Sequence, residues 1–197
     1  MVNKVVVYGF ETSNNMKVRV ALGFKGIDYE FRSIEPRDRA DLVRVSGQNL
    51  TPVLVHGGCV LFDSAAILRY LDANFPGTPK LFGDSHRQQW EIEDWELFAR
   101  TELAAPMMDV VHRRVYGEAV DADLLARAEN NYAAATGKLA AQLADRRWLV
   151  SDAMTAADIT AAATVFRIRA AKFFALPAVD AALSGWVERV IRYDRGA

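Results

Sequence analysis

Four consecutive apolar or aromatic residues, Val5, Val6, Val7 and Tyr8, form a run short enough for a strand covered on both faces. Polar residues fill positions 11–15. Val18, Val20, Ala21, Leu22 and Phe24 then recur with the spacing of a helical stripe, which Ser13, Asn14 or Asn15 can cap. Gly26 suits a helix terminator, and Tyr29-Glu30-Phe31 opens a second strand. A strand–helix–strand unit of this length predicts parallel pairing through a right-handed crossover. A charge-rich, variable helical segment follows from Glu35 to Arg44. The apolar runs Thr51–His56 and Cys59–Phe62 flank Gly57-Gly58, the signal of a β-hairpin. Asp63 or Ser64 caps a helix that carries Ile67, Leu68 and Leu71 and stops near Phe75-Pro76-Gly77. The order predicts a mixed four-stranded sheet.

The pattern changes after that helix. Pro76-Gly77-Thr78-Pro79 and Gly83-Asp84-Ser85 punctuate a linker. Helical spacing then runs over 86–116, 121–144, 155–170 and 178–192, rich in alanine and without a convincing strand. The expected fold class is therefore α/β plus all-α, with domains at 1–77 and 86–197. Thr155-Ala156-Ala157-Asp158 has the form of a capping box: a hydroxyl that accepts from the third helical amide and an acid that reaches back to the cap amide. That motif is structural.

Composition narrows the function classes. Of 197 residues, 51% are hydrophobic and 25% charged, which excludes a disordered or collagen-like chain. A formal charge of −1 argues against a strongly basic nucleic-acid or anionic-membrane binder. The single cysteine, Cys59, excludes an intramolecular disulfide framework and any multi-cysteine zinc site, and fits a reducing compartment. No run reaches the ~18 apolar residues of a membrane span, and the N-terminus lacks the apolar stretch of a signal peptide. A cytoplasmic location is expected. His56, His86 and His112 lack metal-ligand spacing, so no metal is expected.

Three local signals bear on chemistry. Pro52 opens a strand where its missing N–H is a liability; it stands either trans at an edge or cis, turning the Thr51 backbone toward a cleft where an extended peptide can pair. Asp63-Ser64 at a helix start offers amides and a hydroxyl for a carboxylate and an acid for an α-ammonium, or simply caps the helix. The loop Glu11-Thr12-Ser13-Asn14-Asn15 lies where α/β folds bind ligands, and a donor there would stabilise a thiolate; it too can be plain capping. Neither Thr12 nor Ser13 has a visible base, so a hydrolase triad is poorly supported.

Taken together, VVVYGF…KVRVALGFKGIDYEF, TPVLV, LFDSAAILRYLDANFP and TAADITAAATVF resemble the cytosolic glutathione S-transferase family over nearly the whole chain. The resemblance implies a thioredoxin-like N-terminal domain with a helical-bundle C-terminal domain, glutathione as co-substrate, a small electrophilic second substrate and a homodimer. It makes Thr51-Pro52 a cis-proline site whose Thr51 backbone pairs with the cysteinyl part of glutathione, and Asp63-Ser64 the pair holding the γ-glutamyl head, with Asp one methylene shorter than the usual Glu or Gln. Cys59 sits in the hairpin, unlike a catalytic cysteine, and reads as a small core residue. For thiol activation Ser13 leads, then Thr12 or Asn14, then Tyr8, which fits better as a sheet residue. Trp90, Trp95 and Phe98 lie on a helix that could flank the second substrate but read as core. The expected function is a glutathione transferase, possible reductase or peroxidase activity included. The alternative is a noncatalytic binding protein, motivated by the atypical 12–15 loop and Asp63.

Overall fold

The computed structural model describes residues 4–196, in which the Val5–Tyr8 run becomes β1 (Val5–Gly9). It lies between β2 (Tyr29–Ser33) and β3 (Val53–His56), with β4 (Cys59–Leu61) at the edge, in the order β2-β1-β3-β4. β1 and β2 are parallel, Val7 opposite Phe31, because α1 (Ser13–Phe24) carries the chain back across the sheet. β3 is antiparallel to β1, and β4 to β3. Gly57 and Gly58 both have positive φ, 57° and 85°, which the tight hairpin turn requires and side chains resist. The mixed sheet is the one the pattern predicts.

α2 (Ala40–Ser46) and α3 (Ser64–Asn74) complete this layer, with Ile67, Leu68 and Leu71 of α3 fully buried. Cys59, expected in the core, is exposed. The reason is topological: β4 is an edge strand, and Cys59 and Val60 both face solvent.

Two buried cations of α1 hold distant chain in place. Lys25, the C-cap, pairs with Asp72 at 2.8 Å and donates to the Pro79 carbonyl at 2.9 Å. Asp72 also accepts from the amides of Leu81 and Phe82, so the segment expected as a linker is fixed to α1 and α3. Arg19 forms a fork with Asp194, Nε–Oδ1 and Nη2–Oδ2 both 2.8 Å, and its guanidinium lies 5.2 Å from the centre of the Phe31 ring. A Cβ on Gly23 would stand 1.9 Å from the Tyr193 carbonyl oxygen, so only glycine lets that segment approach. Residues from Ile191 on therefore group with those up to Phe82 in one compact unit, and Gly83–Val190 form the other. This differs from a second domain running from 86 to the chain end.

The second unit is helical. α4 (His86–Phe98) passes through a π-helical turn at Ala99–Ala104 into α5 (Ala105–Tyr116), the expected 86–116 helix with one widened turn. Pro106 explains it: proline has no N–H to give the preceding turn, and the Ala105 amide bonds five residues back, to Arg100. α6 (Ala122–Leu143) and α7 (Ala156–Ala171) follow, then a 3-10 turn at Ala178–Leu183 and α8 (Ser184–Ile191).

α7 is buried along most of its length, and the capping box forms at its start. One Asp158 oxygen accepts from the Thr155 amide at 3.0 Å and from its hydroxyl at 3.1 Å. The other accepts from the Leu149 amide at 2.9 Å and the Trp186 indole at 3.0 Å. Burial pushes the Asp158 carboxyl up, and these four donors work against that rise.

Candidate functional site

Three segments of the sheet-bearing unit converge: the start of α1, the loop ahead of β3 and the start of α3. Thr12 is the N-cap of α1, extended at φ −132°, ψ 164°, and its Oγ1 accepts from the Asn15 amide at 3.3 Å. Asn15 is fully buried. Its Nδ2 donates to Thr12 Oγ1 at 2.7 Å and to Thr51 Oγ1 at 2.9 Å, joining the first segment to the second.

The Thr51–Pro52 peptide is cis. β3 begins at Val53, so Pro52 stands ahead of the ladder and its missing N–H interrupts no strand pairing. Ser64 is the first residue of α3 and is buried; its Oγ donates to Asn14 Oδ1 at 3.4 Å, joining the third segment to the first. Asp63 is the N-cap of α3, one oxygen accepting from the Ala66 amide at 2.8 Å, and it is exposed. Ser13 is the first residue of α1 and half-buried, while Asn14 is exposed.

Tyr8 is not part of this cluster. Its hydroxyl accepts from Arg32 Nη1 at 2.7 Å, the Arg32 guanidinium lies 5.3 Å from its ring centre, and it packs in a core cluster with Ile34, Leu42 and Val53. Of the helical aromatics, Trp95 and Phe98 meet edge to face at 5.1 Å, and Phe98 is buried. Trp90, expected as core, is 66% exposed because it faces away from the buried positions of α4, Ile92, Glu96 and Phe98. Asn15 enters the sequence reading only as a possible cap. The signal for more was an amide amid Met16, Val18, Val20 and Leu22, a neighbourhood that buries what it contains.

The cluster brings together helix-end amides and hydroxyls, groups able to bond an anion or an extended peptide. Two helix N-termini meet there: α1, capped by the neutral Thr12, has no acidic residue in its first turn, whereas the Asp63 carboxylate caps α3 and offsets its positive end. Hydroxyls at Thr12, Ser13, Thr51 and Ser64 supplement them. Among the described residues no group of three or more His, Cys, Asp or Glu is arranged to hold a metal ion. Among the same residues no helix is long and apolar enough to cross a membrane.

Residues 7–79 match the family model described as glutathione S-transferase, N-terminal domain, and residues 122–193 match its C-terminal counterpart. The chain belongs to the glutathione S-transferase family. A glutathione S-transferase of Triticum aestivum is 39% identical over 77 residues, 39% of this chain and 36% of the wheat protein. A Vibrio cholerae protein described as a probable maleylacetoacetate isomerase is 29% identical over 118 residues, 56% of this chain and 53% of its own length. The matched stretches thus span about half of these curated relatives or less. A glutathione S-transferase of Rhodospirillum rubrum F11, solved by crystallography, shares the fold with a TM-score of 0.80 at 27% identity, over 94% of this chain and 87% of that one. The four-stranded mixed sheet followed by a helical unit is the glutathione S-transferase architecture.

Proposed function

We propose that this member of the glutathione S-transferase family is a glutathione transferase, which ionises the thiol of glutathione and directs the thiolate at a small electrophile. The observation that carries this reading is the joining of the α1 start to the other two segments: Asn15 to Thr51, and Ser64 to Asn14. In that frame the Thr51 main chain beside Pro52 pairs with the cysteinyl part of an extended glutathione. The amides of α3 hold the γ-glutamyl carboxylate together with the Ser64 hydroxyl, whose proton turns from the 3.4 Å contact with Asn14 Oδ1 to the ligand, and the oxygen of Asp63 not used in capping faces the ammonium. The sulfur lies at the positive end of α1.

The donor to sulfur comes from Thr12, Ser13 or Asn14. Thr12 takes precedence over Ser13, because Thr12 Oγ1 already accepts from two Asn15 N–H groups and its own proton is what it has left to give. A free thiol of pKa about 8.5 is a few per cent ionised at neutral pH. One donor and a helix N-terminus bring it near 7, worth about 2 kcal/mol of preference for the thiolate. The proton leaves to solvent. The thiolate then forms a C–S bond while the leaving group departs with its electron pair, or attacks a disulfide sulfur and expels the other thiolate.

Glutathione is the co-substrate, and no metal takes part. The protein acts as a cytosolic homodimer, free of nucleic acid and membrane. Retention on immobilised glutathione, followed by turnover of a chlorinated nitroaromatic, a mixed disulfide and maleylacetoacetate, tests the proposal. Conjugation, reduction or isomerisation that depends on glutathione supports it. Binding without turnover across the panel contradicts catalysis and leaves a binding protein.

A further inference from the structure

We infer that Asn15 is a positioning residue for thiol activation: its carboxamide holds the Thr12 and Thr51 hydroxyls by their oxygens, so that the Thr12 proton points to the ligand's sulfur. This rests on the reading that glutathione occupies the site. A fully buried amide is costly unless both ends are bonded, and stability alone would favour an apolar residue at such a place in α1. Nδ2 is used twice, at 2.7 and 2.9 Å, yet among the described residues Oδ1 has no donor. The main chain makes room for that oxygen: a Cβ on Gly9 would come within 1.7 Å of it. Two positions, Gly9 and Asn15, are thus shaped around a carboxamide that leaves an acceptor unsatisfied. Such departures from local stability concentrate at functional sites.

The direction of these bonds decides the chemistry. A hydroxyl has two acceptor positions and one proton. Thr12 Oγ1 receives the Asn15 main-chain amide and Nδ2, filling both acceptor positions. An oxygen in place of Nδ2 would reverse the pattern, drawing the hydroxyl protons of Thr12 and Thr51 inward and leaving none for the sulfur. Asn15→Asp imposes that reversal with almost no change in shape, and adds a negative charge behind the thiolate.

The test is the titration of thiolate absorbance for glutathione bound to the wild-type protein, Asn15→Asp and Asn15→Ala, with calorimetric affinity and the pH profile of kcat/KM measured alongside. In the wild type the bound thiol should ionise below the free thiol. In Asn15→Asp its pKa should rise by about 1 or more, the effect of a nearby like charge. The acid limb of kcat/KM should move up with it while glutathione affinity changes by less than about tenfold, a difference of 1.4 kcal/mol. Asn15→Ala, which adds no charge and withdraws no proton, should shift in the same direction by less, and stands as the readout if the Asp variant does not fold. Unchanged thiol ionisation in a variant that still binds glutathione overturns the positioning role alone. Failure of the wild-type protein to bind glutathione, or to lower its thiol pKa, overturns the functional reading and this role with it.

Discussion

A hydroxyl whose acceptor positions are filled can act only as a donor, and that property separates Thr12 from its neighbour Ser13. Thr12→Val removes the donor and should raise the pKa of bound glutathione by about 1, whereas Ser13→Ala should leave it nearly in place; titrating thiolate absorbance in both variants decides between them. At α3, Ser64→Ala deletes a charge-assisted bond to the ligand carboxylate and should weaken glutathione binding by about 1–2 kcal/mol in a calorimetric titration, with no change in the thiol pKa. The Asp63 cap of α3 was legible in the sequence, because its signal is local: an acid and a serine before an apolar helical stripe. The proline at a strand start left cis and trans open, and the cis Thr51–Pro52 bond is the one that forms. Asn15 was not legible. Its partner Thr51 is 36 residues away, and nothing near position 15 encodes that bond.

At the scale of elements, the hydrophobic pattern foretold the strands, their mixed pairing and the main helices, since periods of two and of 3.6 report which face is buried. It failed where burial depends on place in the sheet. Cys59 reads as core but lies exposed on the edge strand β4. The π-helical turn before Pro106 was also hidden, because the apolar repeat runs through it. Within α7, Asp158→Asn would turn an N–H₂ toward donors that now meet a carboxylate. It should cost at least about 3 kcal/mol in denaturant unfolding, against ~1 kcal/mol for loss of the Thr155 cap in Thr155→Ala. On β2, hydrogen bonds from Arg32 and Lys4 hold the Glu30 carboxyl at about 2, against an ordinary 4.5. A carboxylate depressed in the folded state stabilises above its unfolded pKa and loses that contribution as pH falls through the folded value. Wild-type protein and Glu30→Gln should therefore differ in stability above about pH 4.5 and converge as the pH approaches about 2.

At the scale of the whole molecule, the shift from alternating strands to alanine-rich helices announced two units, and the linker residues marked the change. The grouping of the last residues with the first unit was beyond reach, because Arg19 meets Asp194 across 175 positions of sequence. Asp194→Ala leaves a buried guanidinium with, among the described residues, only Glu11 as an anion partner, and should destabilise the sheet-bearing unit by about 3 kcal/mol. Ligand linkage acts at the same scale: glutathione at a hundred times its dissociation constant should stabilise the folded protein by about 2.7 kcal/mol, seen as a rise in Tm.

The proposed function requires these helix ends and hydroxyls to convert a bound cysteinyl thiol to its thiolate near neutrality. The most direct measurement is the ultraviolet thiolate titration of glutathione on the wild-type protein, with free glutathione as reference. The expected midpoint is near pH 7, well below the roughly 8.5 of a free thiol. A bound thiol that titrates with the free one would contradict it.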